Sequence, residues 1–239
     1  MSGHSKWHSI RHQKAINDSK KANIFTRLLK EISVAARAGG DPESNFRLRL
    51  AIERAKNANT PKENIERAIK RGTGELKDSA QIEEVVYEAY GPGQIAMLIK
   101  VATDNKNRTL SEIKNLLKKN NGKFSEGGGV AWQFSAVGII RVSISGKSEE
   151  EIEMKIIESG ANDYQKEEKG KYEIYTATAD LKIVKENLEK MGFEIEEASL
   201  GYLAKNKIVV DEANLEAYQK LWETLNDHDD VSQIFDNVA

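Results

Sequence analysis

Apolar residues recur at helical spacing early in the chain. Ile24, Leu28, Ile32 and Ala35, with Phe25, Leu29 and Ala36 beside them, predict a helix over residues 20–38. Gly39-Gly40 stops it, because glycine accepts the left-handed conformation past a helix end. Asp41-Pro42-Glu43 restarts a helix, with Asp41 as a cap and Pro42 in the first turn. Phe46, Leu50, Ile52 and Ala55 give it an apolar side. Thr60-Pro61-Lys62-Glu63 reads as a capping box for a short third helix carrying Ile65, Ala68 and Ile69, which ends before Gly72 and Gly74. Residues 1–75 therefore read as a basic arm followed by a three-helix module.

The pattern changes after Gly74. Val85–Tyr90 and Ile95–Val101 predict strands around the turn Gly91-Pro92-Gly93. Leu110, Ile113, Leu116 and Leu117 make residues 106–119 a basic amphipathic helix, and Gly127-Gly128-Gly129 leads into a predicted strand, Val130–Phe134. A second unit follows. It has a strand over Val137–Ser143, a helix over 148–158, a hairpin from 162–165 and 171–176, a helix through Leu181, Val184 and Leu188, and a strand over 193–200. That is the β-α-β-β-α-β order of a ferredoxin-like domain. A strand over Lys207–Val210, a helix over 212–225 and a strand over Val231–Phe235 complete a second such order when joined to the segment before it. The expected class is α+β: an N-terminal three-helix bundle with a basic arm, then two ferredoxin-like α/β domains, one inserted in the other. The expected boundaries are 1–78, 79–135 plus 204–239, and the insert 136–203.

Charge sharpens this division. The net charge of −2 over 239 residues hides an asymmetry: residues 1–78 hold 17 Lys+Arg against 9 Asp+Glu, and residues 79–239 hold 19 against 29. The bias is steepest in residues 1–37, where Asp18 and Glu31 are the only carboxylates among eight basic residues. A basic third joined to an acidic remainder suggests a polyanion partner for the first part. A solvated basic helix is the plain alternative. A membrane surface fits poorly, because no broad apolar face accompanies the basic one. The candidate contacts are Lys6, Trp7, Arg11, Lys14, Lys20 and Lys21, with Arg27, Lys30 and Arg37 contributing from the first helix. Trp7 either stacks on a base or packs on the helical module; an indole in a polar arm has little other reason to be there. A second basic patch, Lys106, Arg108, Lys114, Lys118 and Lys119, either extends the track or is a solvated helix face.

The remaining motifs fall away. Gly91-Pro92-Gly93-Gln94-Ile95-Ala96 fits a loose dinucleotide fingerprint, but a β-branched strand follows where a phosphate-binding helix should begin. Gly146-Lys147-Ser148 lacks the upstream glycine of a phosphate loop, since Arg141 stands there. His4, His8 and His12 share a helical face, but Lys6, Arg11 and Lys14 surround them and no carboxylate is at hand to offset a dication, so no metal is expected. With no cysteine, a disulfide scaffold, a thiol nucleophile and a thiolate metal site are excluded. No nucleophile–base constellation emerges, so neither catalysis nor a cofactor is expected. No run approaches the roughly 18 apolar residues of a membrane span, and the first residues lack a secretory core, which makes a cytoplasmic protein the expectation.

The same residues carry a resemblance. Gly3-His4-Ser5-Lys6-Trp7, Arg47-Leu48-Arg49-Leu50-Ala51-Ile52-Glu53, Asn64-Ile65-Glu66-Arg67-Ala68-Ile69-Lys70-Arg71-Gly72-Thr73-Gly74, Tyr90-Gly91-Pro92-Gly93, Thr103-Asp104-Asn105-Lys106-Asn107-Arg108-Thr109 and Val130-Ala131-Trp132 resemble the YebC/PmpR family along essentially the whole chain. The resemblance implies a helical bundle plus two α/β domains and a bacterial cytoplasmic regulator, usually described as a DNA-binding transcriptional protein. It also admits a ribosome-associated translation factor binding RNA, since the mitochondrial relative activates translation of a cytochrome oxidase subunit. It names no contact residues; those above come from charge. The expected partner is DNA, with the ribosome or RNA as the rival and no membrane. The acidic C-terminal domains are candidates for a protein partner, which would make the chain an interaction scaffold.

Overall fold

The computed structural model describes residues 21–76, 80–167 and 170–239. They form two compact units, one of residues 136–202 and the other of 21–135 with 203–239.

The second unit begins with three helices: α1 (Lys21–Ala36), α2 (Phe46–Asn57) and α3 (Lys62–Gly72). Their apolar faces meet around Leu28, Ile32, Ala35, Leu48, Ala51, Ala55, Ile65 and Ala68, all buried. α1 and α3 approach closely. The Ser33 hydroxyl donates to the Ala68 carbonyl at 2.9 Å, and a Cβ on Gly72 would collide with the Ser33 carbonyl and lie 2.7 Å from Ala36 Cβ. Two of the predicted helix starts differ. Asp41 does not cap α2; it closes its own turn by accepting from the Glu43 amide at 3.0 Å. The cap is Asn45, whose side-chain oxygen takes the Leu48 N–H while its Nδ2 donates to the carbonyls of Ala35 and Gly39 at the end of α1. One amide thus ends one helix and starts the next. The Thr60–Glu63 box also fails to form: α3 starts after Pro61 without a side-chain cap, and Thr60 is buried.

A hairpin follows. β1 (Glu83–Tyr90) and β2 (Ala96–Thr103) pair antiparallel without a break, from Glu83↔Thr103 to Tyr90↔Ala96. The turn Pro92–Gln94 needs Gly93 at φ 71. α4 (Lys106–Lys119), capped by Asn105, leads to the short strand β3 (Lys123–Ser125), which pairs with β1. The strand predicted over Val130–Phe134 is a 3-10 turn at Ala131–Gln133, and β4 begins only at Phe134. The reason is that the Glu88 carboxylate captures the amide N–H groups a ladder would use, as described below.

The inserted unit runs β4 (Phe134–Ser143), α5 (Glu149–Glu158), β5 (Asp163–Lys166), β6 (Lys171–Thr176), α6 (Leu181–Lys190) and β7 (Glu194–Ala204). Its sheet has the order β5-β6-β4-β7. Ser148 and Glu151 form a reciprocal capping box at the start of α5. Arg141 is clamped by Glu173 at 2.8 Å and Glu197 at 2.6 Å. Burial alone would ease its proton off, but the carboxylates of Glu197, Glu173 and Glu167 outweigh it and hold the guanidinium charged.

The chain then returns to the first sheet. Asp211 caps α7 (Glu212–Asn226), and β8 (Val231–Asp236) pairs with β2, giving the order β3-β1-β2-β8. The strand predicted over Lys207–Val210 amounts to one bridge, Ile208 with Val238, because the chain turns at once into the Asp211 cap. The inserted sheet carries the β-α-β-β-α-β order in full. The outer sheet keeps four antiparallel strands and two helices in the order β-β-α-β-α-β, with the short β3 present and the two strands expected over Val130–Phe134 and Lys207–Val210 absent.

Candidate nucleic-acid interface

Lys6, Trp7, Arg11, Lys14 and Lys20 lie outside the described residues, as do His4, His8 and His12, and Lys21 opens α1 with its side chain outside the description. The other three predicted contacts, Arg27, Lys30 and Arg37, are turned to the protein's own sheet domain. Lys30 Nζ lies 2.5 Å from Asp230 Oδ1 and 3.0 Å from the Asp229 carbonyl. Arg27 donates to the Asn226 side-chain oxygen at 3.2 Å and to the Asn226 carbonyl. Arg37 donates to the Ile82 carbonyl at 3.4 Å. The first two fasten α1 to the corner between α7 and β8. Burial pulls the Arg27 pKa down, opposed by Asp227, Asp229 and Glu31.

Asp230 is the centre of that corner. Its side chain is 5% exposed. Beyond Lys30 it accepts from the Thr109 hydroxyl at 2.6 Å and from Arg108 Nη2 at 3.0 Å. Thr109 in turn meets the Thr103 hydroxyl at 2.8 Å. Burial alone would raise the Asp230 pKa; the contacts from Lys30, Thr109 and Arg108 outweigh it and hold the carboxyl well below the usual range. Glu112, His228 and Asp230 bring ligand atoms within 4.8 Å of one another. They do not suit a metal. Both Asp230 oxygens are taken by cations and Thr109, and His228 Nδ1 accepts the Asp230 N–H at 3.1 Å, so a dication would have to displace Lys30 and Arg108.

The second basic patch divides along α4. Lys106 pairs with Glu83, and Arg108 with Asp104 and Asp230. Lys114 Nζ sits 4.5 Å from the centroid of the Phe124 ring. Lys118 and Lys119 are exposed and have no ion-pair partner among the described residues. The first half of the helix is neutralised internally, and the last turn is free.

Charge reasoning passed over other residues. On the bundle, Lys56, Arg67 and Lys70 are exposed and without an ion-pair partner among the described residues. Arg67 and Lys70 stand three apart on α3, so they share a face. Their signal was in the sequence, in the surplus of Lys+Arg beyond the arm. The other omission is Trp132. Its loop is fastened to the sheet by Glu88, whose carboxylate accepts the amide N–H of Gly128 at 2.7 Å, Val130 at 2.6 Å and Ala131 at 2.8 Å. Burial alone would raise the Glu88 pKa, but the three amides lower it. The Tyr90 hydroxyl and the Trp132 indole N–H both donate to the Gly129 carbonyl, at 3.1 and 3.2 Å. Lys205 Nζ donates to the Trp132 carbonyl at 2.8 Å. The indole nevertheless remains 65% exposed.

Comparison with known proteins settles the relationship. Residues 5–75 match the TACO1/YebC protein N-terminal domain, and residues 82–238 match the TACO1/YebC second and third domain. The chain belongs to the TACO1/YebC family. Its TACO1/YebC relatives include a "Probable transcriptional regulatory protein" from Caldanaerobacter subterraneus, 47% identical over all of this chain and 98% of that one. Another from Persephonella marina, with the same name, is 48% identical over 99% and 95%. The crystal structure of a conserved hypothetical protein from Aquifex aeolicus is 44% identical, covers 96% of this chain and 95% of that one, and superposes with a TM-score of 0.89. No helix among the described residues is long and apolar enough to cross a membrane.

Proposed function

We propose that this chain is a regulator of gene expression that binds DNA through its basic arm and the outer surface of its helical bundle. The observation that carries the reading is the division of cations within the bundle. Arg27, Lys30 and Arg37 are consumed by the joint to the sheet, while Lys56, Arg67 and Lys70 stay exposed and unpaired among the described residues. Holding an unneutralised surplus apart from an acidic remainder costs self-repulsion, and a polyanion relieves it. Lys6, Arg11, Lys14 and Lys20 would add further charge for the phosphates of the duplex. The acidic sheet domains keep the duplex footprint to this third of the chain. The relatives' name, "Probable transcriptional regulatory protein", agrees with that class.

The test is titration of the full chain on duplex DNA and on structured RNA at several salt concentrations. Each phosphate-contacting cation contributes about one to the slope of log affinity against log salt. Replacing Lys56, Arg67 and Lys70 together by Ala should therefore weaken duplex binding and lower the slope by up to about three. Unchanged affinity and slope would refute the bundle surface. Tighter binding to structured RNA than to duplex at matched salt would overturn the DNA reading in favour of the translational one.

A further inference from the structure

We infer that Trp132 is a stacking platform for an unpaired base, with Lys205 and Lys123 placed to meet the adjoining phosphates. The inference rests on the nucleic-acid reading above and adds a site to it, on the sheet domain rather than on the bundle.

A single exposed apolar side chain proves nothing by itself. Trp132 is different in how firmly it is held. A half-buried carboxylate, three amides, a tyrosine hydroxyl and a lysine fix the backbone on both sides of it, and its own N–H is satisfied within the loop. The entropy of ordering the indole has already been met before any partner arrives. Two of the preceding glycines lie in open space, where a Cβ on Gly127 or Gly128 would meet no atom within 4 Å, while a Cβ on Gly129 would collide with Ser125, so the loop is tight only where it meets β3. Trp132 is also the only aromatic among the large exposed apolar residues described.

Its surroundings choose between a base and a protein. A tryptophan at the centre of a protein interface sits in a well-packed pocket whose surroundings exclude water. Here the neighbours along the loop are Glu126, glycines, an exposed Ala131 and an exposed Ser135, and no large apolar side chain among them is exposed beside Trp132. Two lysines stand near, against the exposed Glu126 at the start of the loop. Lys205 is bonded to the Trp132 carbonyl. Lys123 lies directly across from Tyr90 in the β1–β3 pair, so both point from the sheet face that also bears Glu88 and its loop. The one carboxylate beneath the loop, Glu88, is saturated by amides. An exposed π-face on a loop whose backbone a lysine already grips, with a second lysine on the neighbouring strand face, matches sequence-tolerant stacking of single-stranded nucleic acid. Duplex DNA offers no free base face for it.

The experiment uses the full chain, a fluorescein-labelled uridine 12-mer and a duplex DNA of equal length. Trp132→Ala should weaken single-strand binding by between about fivefold and a hundredfold with the salt slope unchanged. Trp132→Phe should restore most of the loss, and Lys205→Ala should instead lower the slope by about one. Duplex affinity and thermal stability should stay at wild-type values in both tryptophan variants. Equal single-strand binding by wild type and Trp132→Ala would overturn the inference while leaving the duplex reading intact. So would a matching loss on the duplex, or a fall in melting temperature that Phe does not repair. Wild-type protein that binds neither probe at low salt would remove the nucleic-acid reading and this site with it. If Trp132→Ala leaves oligonucleotide binding intact and abolishes association with a protein, the residue belongs to a protein interface and the inference fails.

Discussion

Asp230→Asn isolates what the corner between α7 and β8 contributes. The amide keeps the volume and still accepts from Thr109, but it removes the charge that faces Lys30 and Arg108. Lys30 is the costlier loss, since its side chain is 17% exposed and its nearest alternative acceptor is the Asp229 carbonyl. Arg108 is 46% exposed and keeps Asp104, so it can turn to water. Hydrogen bonds to charged groups are worth about 1.5–3 kcal/mol, and breaking a buried pair costs about 3–5 kcal/mol. With one partner able to rehydrate, a loss of about 2–4 kcal/mol is expected, or roughly 5–12 °C in melting temperature for a unit of this size. The pH dependence follows from the depressed carboxyl. A folded-state pKa below the unfolded one gives stability that is fully present above the unfolded value, about 4, and is lost as pH falls toward the folded one. Urea midpoints of wild type and variant should therefore differ by a constant amount from pH 7 to 5 and converge from about pH 4 downward. A difference under about 0.5 kcal/mol at pH 7, within the range of ordinary surface substitutions, would refute the reasoning. So would a gap that fails to narrow in acid.

Gly72→Ala should destabilise the bundle by about 1–3 kcal/mol, because its Cβ meets the Ser33 carbonyl rather than a movable side-chain end; wild-type urea midpoints would show that α1 and α3 can part cheaply. Proteolytic cleavage between residues 70 and 80 should leave both fragments in one gel-filtration peak at neutral pH, since Arg27 and Lys30 hold α1 to the α7–β8 corner. Separate elution of a helical fragment would mean that the joint is too weak to hold them.

What the sequence made legible was local. The three helices, the β1–β2 hairpin and the order of the inserted sheet follow from spacing and β-branched runs that any short window displays. What it concealed depended on distant partners. Val130-Ala131-Trp132 reads as a strand until Glu88, 42 residues earlier, claims its amides. For the same reason Trp132 passed as strand filling and not as a site. Asp41 and Thr60 are good caps by type, but a cap works only where the backbone turns. Asn45 won because its amide could also close the end of α1. Arg27 and Lys30 counted as basic residues, yet their partners lie 199 and 200 positions away, beyond any composition window.

This last point bears on how charge asymmetry should be read. A surplus of cations in one third of a chain sets the field around it, but it does not say which cations face outward. Here α1 lies against both α3 and the sheet strands β2 and β8. Two of its cations, Arg27 and Lys30, reach the acidic corner and are spent there. The cost of burying Lys30 beside Asp230 is met by two further donors to the same carboxylate, Thr109 and Arg108. Arg108 belongs to the second basic patch, so the corner draws on both basic regions at once and leaves, among the described residues, Lys56 on α2, Arg67 and Lys70 on α3, and Lys118 and Lys119 on α4 without an ion-pair partner. The joint therefore does two things with one set of charges. It fixes how the bundle stands on its own sheet, and it selects which cations remain for a polyanion.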